Sequence, residues 1–200
     1  MPVQTAGHKF LRLPPGFTAL EAACPWDAAL AMADIDAQPG TLLHAPFSGP
    51  LAGVLEAALL LCPDRPVTDV IVLQLATLAV REALVALVPP ESSVAIVSPG
   101  TLAINGGELT TLSVAHGPAL ADGTPAWIVL GLTVRVALHL DAPGDTAWLT
   151  DLAEEGIDIP VPELLEMLCR HLLAALDLWQ EEGDTAIARD WHSAFALQRA

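Results

Sequence analysis

From Ala126 to Leu140 the chain reads A-W-I-V-L-G-L-T-V-R-V-A-L-H-L, and its side chains sort cleanly by parity. Ile128, Leu130, Leu132, Val134, Val136 and Leu138 fall on one face, with Trp127, Val129, Gly131, Thr133, Arg135, Ala137 and His139 on the other. A helix would scatter both sets around its circumference, so a period of two over this length predicts one long β-strand. The all-aliphatic parity belongs against a core, and the uneven one is left to line a groove. Val97 to Ser113 supplies a hairpin, two short strands around an Asn105-Gly106 turn whose residues accept positive φ. Thr41 to His44 reads as a strand, and Val54 to Leu61 as a buried one stopped by Pro63.

Helices fill the intervals. Pro25 to Ala37 begins with proline in its first turn and ends before Pro39-Gly40. Asp69 is read as the N-cap of a helix through Leu87, with Gln74, Thr77 and Arg81 on one polar stripe and Pro89-Pro90 beyond its end. From Pro162, Leu164, Leu165, Leu168, Leu172, Ala175, Leu176 and Trp179 recur at helical spacing until Gly183, and a shorter helix ending in I-A-R-D-W follows. The order predicts an α+β domain with a mixed or antiparallel sheet packed with helices. No repeat or linker divides the 200 residues, so residues 1–200 are read as a single domain with a loose segment over 1–15.

A mean hydropathy of +0.52 makes a membrane span the first alternative to test. The best window, Val70 to Val88, carries Gln74, Arg81 and Glu82 at mid-span, which lipid disfavours. Met1 to Pro15 lacks the apolar stretch of a signal peptide, so a cytoplasmic location is expected. The formal charge of -16 excludes nucleic acid and anionic membrane as partners. Cys24, Cys62 and Cys169 share no metal or disulfide spacing and are read as buried free thiols. His8, His44, His116, His139, His171 and His192 form no ligand pattern either, so no metal site is expected.

The hairpin segment V-S-P-G-T-L-A-I-N-G-G-E-L-T-T-L-S resembles the active-site hairpin of the biotin/lipoate protein ligase family, K-W-P-N-D, a strand, an N-G turn and x-K-x-x-G-I. Pro99, Asn105 and Gly106 match in register. W-I-V-L-G-L-T-V-R-V then resembles the family's V-V-G-I-G-x-N-V, and Thr150 to Gly156, T-D-L-A-E-E-G, resembles T-S-L-x-E-E-G. The resemblance spans roughly Leu13 to Phe195 and points to a divergent bacterial branch. It implies the ligase fold, without the winged-helix and small barrel domains that some members carry.

It also implies an altered chemistry. The ligases activate a carboxylate as an acyl adenylate and pass the acyl group to a carrier-domain lysine, a reaction that needs cations where charge collects on phosphoryl oxygens. Here Val97 stands for the first lysine, Ser98 for the tryptophan, Gly100 for the asparagine, Thr101 for the metal-linked aspartate, Glu108 for the catalytic lysine and Thr111 for the glycine. H-A-P-F-S-G-P replaces the arginine-rich loop. One lost donor of this kind costs about 3 to 4 kcal/mol of transition-state stabilisation. The resemblance therefore implies a binding or accessory module that needs no cofactor. The competing expectation is an active ligase or acyltransferase using ATP, magnesium and biotin or lipoate through arginines recruited from elsewhere. A structural subunit is a third. Gly131, Thr133 and Arg135 are the candidate ligand contacts, a gap, a hydroxyl and a cation in a row; Arg135 has the alternative of pairing with an acid such as Asp151. Arg81 is a weaker anion contact, and Cys62 lacks a basic activator in sequence. The expected partner is a small carboxylic acid or a protein, with a carrier domain and a second copy of the chain both considered.

Overall fold

In the computed structural model, which describes residues 11–48, 53–137 and 148–197, the apolar strand runs sit in the middle of a sheet covered on both faces. Five strands form it in the order β1-β2-β3-β8-β7: β1 (Thr18–Glu21), β2 (Thr41–His44), β3 (Val54–Leu61), β7 (Thr110–His116) and β8 (Ile128–Arg135). The β1–β2 pair is parallel and the other pairs are antiparallel, so the sheet is mixed. Three more strands, β4 (Val94–Ser98), β5 (Thr101–Ile104) and β6 (Gly107–Glu108), form a second antiparallel sheet.

The parity seen in the sequence decides the layers. Leu55, Ala57 and Leu59 of β3, with Ile128, Leu130 and Val134 of β8, join one core with α2 (Asp69–Val85), α3 (Val161–Glu182) and α4 (Asp184–Leu197). Ala58, Leu60, Leu43 and Val129 point the other way and meet Ala29 and Ala33 of α1 (Pro25–Asp36). Because both faces are covered, β3 is apolar at nearly every position instead of alternating. No helix of the described residues is long and apolar enough to cross a membrane.

Several expectations shift. The helix expected through Leu87 ends at Val85, and its N-cap is Thr68, whose hydroxyl accepts from the Ile71 N–H; Asp69 is the first helical residue. Thr77, expected on a polar stripe, is fully buried: its hydroxyl donates to the Leu73 carbonyl at 2.6 Å and accepts the Gly100 N–H at 2.8 Å. The single hairpin expected over Val97 to Ser113 is two successive turns. Pro99-Gly100 joins β4 to β5, Asn105-Gly106 joins β5 to β6, and the chain then crosses into the large sheet at Thr110. Asn105 and Gly106 take the positive φ values, 50° and 92°, that this turn requires. The long strand is shorter than its alternation, covering Ile128–Arg135, with Leu138 to Leu140 outside the described residues. Residues 49–52, within the segment that follows H-A-P-F-S between β2 and β3, also lie outside them.

Candidate functional site

On the α1 face, three neighbouring strands bring their side chains into rows. Thr133 of β8 is the cross-strand partner of Glu56 of β3 on one side and of Thr111 of β7 on the other, and Ala58, Gly131 and Ser113 form the next row. Directly opposed side chains of this kind stand about 5 Å apart. The first turn of α1 closes one side. Cys24, Pro25, Trp26 and Asp27 join Glu56, Thr111, Ser113, Gly131 and Thr133 around a cleft of about 300 Å³. Trp26 reaches it because Gly131 has no side chain: a Cβ there would lie 2.6 Å from Trp26 Cε3 and 2.9 Å from Cζ3. The groove expected on this face of the strand is therefore partly filled by the chain's own indole, and the open part lies over the hydroxyl rows.

Gly131 and Thr133 thus share a cleft, whereas Arg135, two residues further on the same strand, is not among its lining residues. The half-buried guanidinium of Arg135 donates from Nη1 to the Glu108 carbonyl at 3.1 Å. Asp151, the alternative partner, is buried and accepts the Glu154 N–H through Oδ1 at 2.8 Å. Backbone bonds weave the same region together: Glu108 N–H donates to Trp148, Thr150 N–H to Glu108 and Leu152 N–H to Arg135. Glu155 accepts from Asn105 Nδ2 at 2.6 Å and from the Thr150 hydroxyl at 2.7 Å, which ties T-D-L-A-E-E-G to the turn. Val97 is half exposed on β4, Thr101 lies on β5 and Glu108 on β6, and the cleft is lined by none of them.

The other candidates disperse. Arg81 lines a separate cleft of about 390 Å³ among α2, α3 and α4 and donates to Glu82 at 2.7 Å. Arg65 donates to Asp64 Oδ1 at 3.0 Å and to the Gln180 carbonyl at 3.2 Å, over the Trp179 ring. Of the thiols expected to be buried, only Cys169 is so, and burial pushes it up to about 12. Cys24 and Cys62 are exposed, and partial desolvation raises the Cys62 thiol above its ordinary value. A raised pKa leaves less thiolate, the opposite of what an activated nucleophile needs. Among the described residues no group of His, Cys, Asp and Glu is arranged to hold a metal ion.

The sequence of strands, the turn pair and the helical cover together match a known family. The model of the biotin/lipoate A/B protein ligase family aligns with residues 13–193. The chain belongs to that family. Among solved structures, a biotin protein ligase-like protein of unknown function from Silicibacter sp. TM1040 is 31% identical at a TM-score of 0.79, covering 92% of this chain and 80% of that one. The biotin protein ligase of Aquifex aeolicus has the same fold at 18% identity and a TM-score of 0.69, covering 89% of this chain and 78% of its own. That of Leishmania major, in complex with biotinyl-5-AMP, reaches 0.62 at 16% identity over 90% and 81%. No curated protein matches the sequence.

For this ligase-family chain, the resemblance located β8 and the turn but missed Cys24, Trp26, Asp27, Glu56 and Ser113. One signal was present: Glu56 is the single charge in V-L-E-A-A-L-L-L, an acid inside a strand otherwise fit for a core. Thr111 was noticed only as a lost glycine, although its hydroxyl stands in the row with Thr133.

Proposed function

We propose that this chain is a catalytically silent member of the biotin/lipoate ligase family, a binding or accessory module working through the cleft at Gly131 and Thr133. The sign of the local charge carries the reading. Among the described residues lining the cleft there is no lysine, arginine or histidine, and its ionisable walls include the carboxyls of Glu56 and Asp27. An acyl phosphate and its magnesium-bound nucleotide need fixed positive charge around the phosphoryl oxygens, and these residues do not fit that group. The rival reading, an active ligase or acyltransferase with recruited arginines, needs Arg65, Arg81 and Arg135 to converge. Arg81 lines a different cleft, Arg65 stacks on Trp179, and Arg135 is bonded to the Glu108 carbonyl.

As an accessory module the chain acts in the cytoplasm, alone or as a homodimer, on a small ligand or on a partner such as a carrier domain. Outside the cleft, Val97, Thr101 and Glu108, at the positions the resemblance matches to the family's lysines and aspartate, add no cation either. The test is direct: protein, carrier domain, ATP, magnesium and either biotin, lipoate or octanoate, followed by intact mass. The expected outcome is an unmodified carrier. Stoichiometric acylation that disappears in Arg135→Ala would restore the enzyme reading.

A further inference from the structure

Resting on that reading of the cleft as a binding site, we infer that it selects an organic cation, an alkylammonium group, over a carboxylic acid. Two carboxyl groups line it, and neither the Glu56 nor the Asp27 side chain makes a hydrogen bond or ion pair among the described residues. The opposing influence is the start of α1. Cys24 caps it without a side-chain hydrogen bond and Pro25 has no N–H, so the amides of Trp26 and Asp27 present the positive end of the helix. That end is equivalent to about half an elementary charge, against a full charge on each ionised carboxyl. Arg135 is the nearest cation along β8, but its guanidinium turns to the Glu108 carbonyl. Among the described residues the balance at the cleft is negative, in the direction of the whole molecule's charge of -16.

The remaining walls suit the same ligand. An ammonium has three donors and no acceptor, and Thr111, Ser113 and Thr133 offer three hydroxyl oxygens to receive them. The Trp26 indole forms an aromatic wall, which attracts a cation placed over its face and has no such attraction for a carboxylate. A volume of about 300 Å³ is at the small end of ligand pockets, matched to one short molecule or one side chain. A carboxylic acid of the same size would find the hydroxyls and two amides, and would face two like charges that outweigh them.

The experiment is an NMR titration of the whole chain at low salt, following the indole N–H of Trp26, assigned by its loss in Trp26→Phe. Three probes of one chain length are compared, n-pentylammonium, pentanol and pentanoate, with Nα-acetyl-lysine methylamide as a fourth. Pentylammonium is expected to shift the signal saturably and pentanoate to leave it in place. Glu56→Gln and Asp27→Asn, checked for an unchanged amide spectrum, should each weaken pentylammonium by about tenfold or more, the worth of one charge-assisted contact. Equal or tighter binding of the lysine derivative would identify the source of the cation as a protein side chain, and much weaker binding a free amine. A cleft that prefers pentanoate, ignores pentylammonium or is indifferent to both substitutions overturns the inference. Those results leave the silent-enzyme reading standing, which falls only to ATP-dependent acyl transfer.

Discussion

Gly131 changes its meaning between sequence and structure. Its position in the long alternation suggested room for a ligand, and a large substitution there would then have blocked binding without touching stability. The indole of Trp26 occupies that room, within 3 Å of where a Cβ would stand. Gly131→Leu is therefore expected to destabilise the protein by about 1 to 3 kcal/mol, the usual penalty for overpacking, with a melting temperature lowered by several degrees. An unchanged melting curve would mean that Trp26 swings away at no cost. Thr133→Val is the cleaner probe of the cleft, since it removes a hydroxyl and keeps the shape and β-branched character that a strand favours.

At the scale of elements, strand and helix positions were legible because both rest on periodicity. Thr41–His44 and Val54–Leu61 match the apolar runs, and Pro25 and Gly183 mark ends of α1 and α3 by their restricted or permissive φ. What periodicity did not reveal is the traffic between elements. Thr77 reads as a polar position of α2, yet it is the pin that receives the Gly100 amide from the β4–β5 turn, and Gly100 in turn accepts the Leu112 amide. Thr110 does the same for Leu102 at 3.1 Å. Such bonds join residues 23 and 8 positions apart and leave no local mark. Half of the cleft was hidden for the same reason, since Glu56, Thr133 and Thr111 become neighbours only through strand register. Thr77→Val should cost about 1 to 3 kcal/mol by leaving a buried amide unpaired. Denaturant unfolding would read it, and a loss below half a kcal/mol would show that the Gly100 amide finds another acceptor.

For the molecule as a whole, α2, α3 and α4 close one side of the sheet and the short α1 the other, so the two sides differ in what they can lose. Ile187, Trp191 and Ala194 of α4 are buried against α2 and α3, with Ile187 at 2% exposure. A chain ended after Gly183 would expose that surface. It should lose its cooperative thermal transition and bind a hydrophobic dye; a truncated chain that melts as sharply as the parent would assign α4 no part in the core. Around the cleft a different constraint operates. Thr133 faces α1 while Leu132 and Val134 pack toward α2 and α3, so a one-residue insertion or deletion upstream in β8 would turn the hydroxyl inward and an aliphatic chain outward. Descendants of this gene can lengthen or shorten the strand there only in pairs of codons, and the spacing between its glycine and its threonine is heritable as a parity.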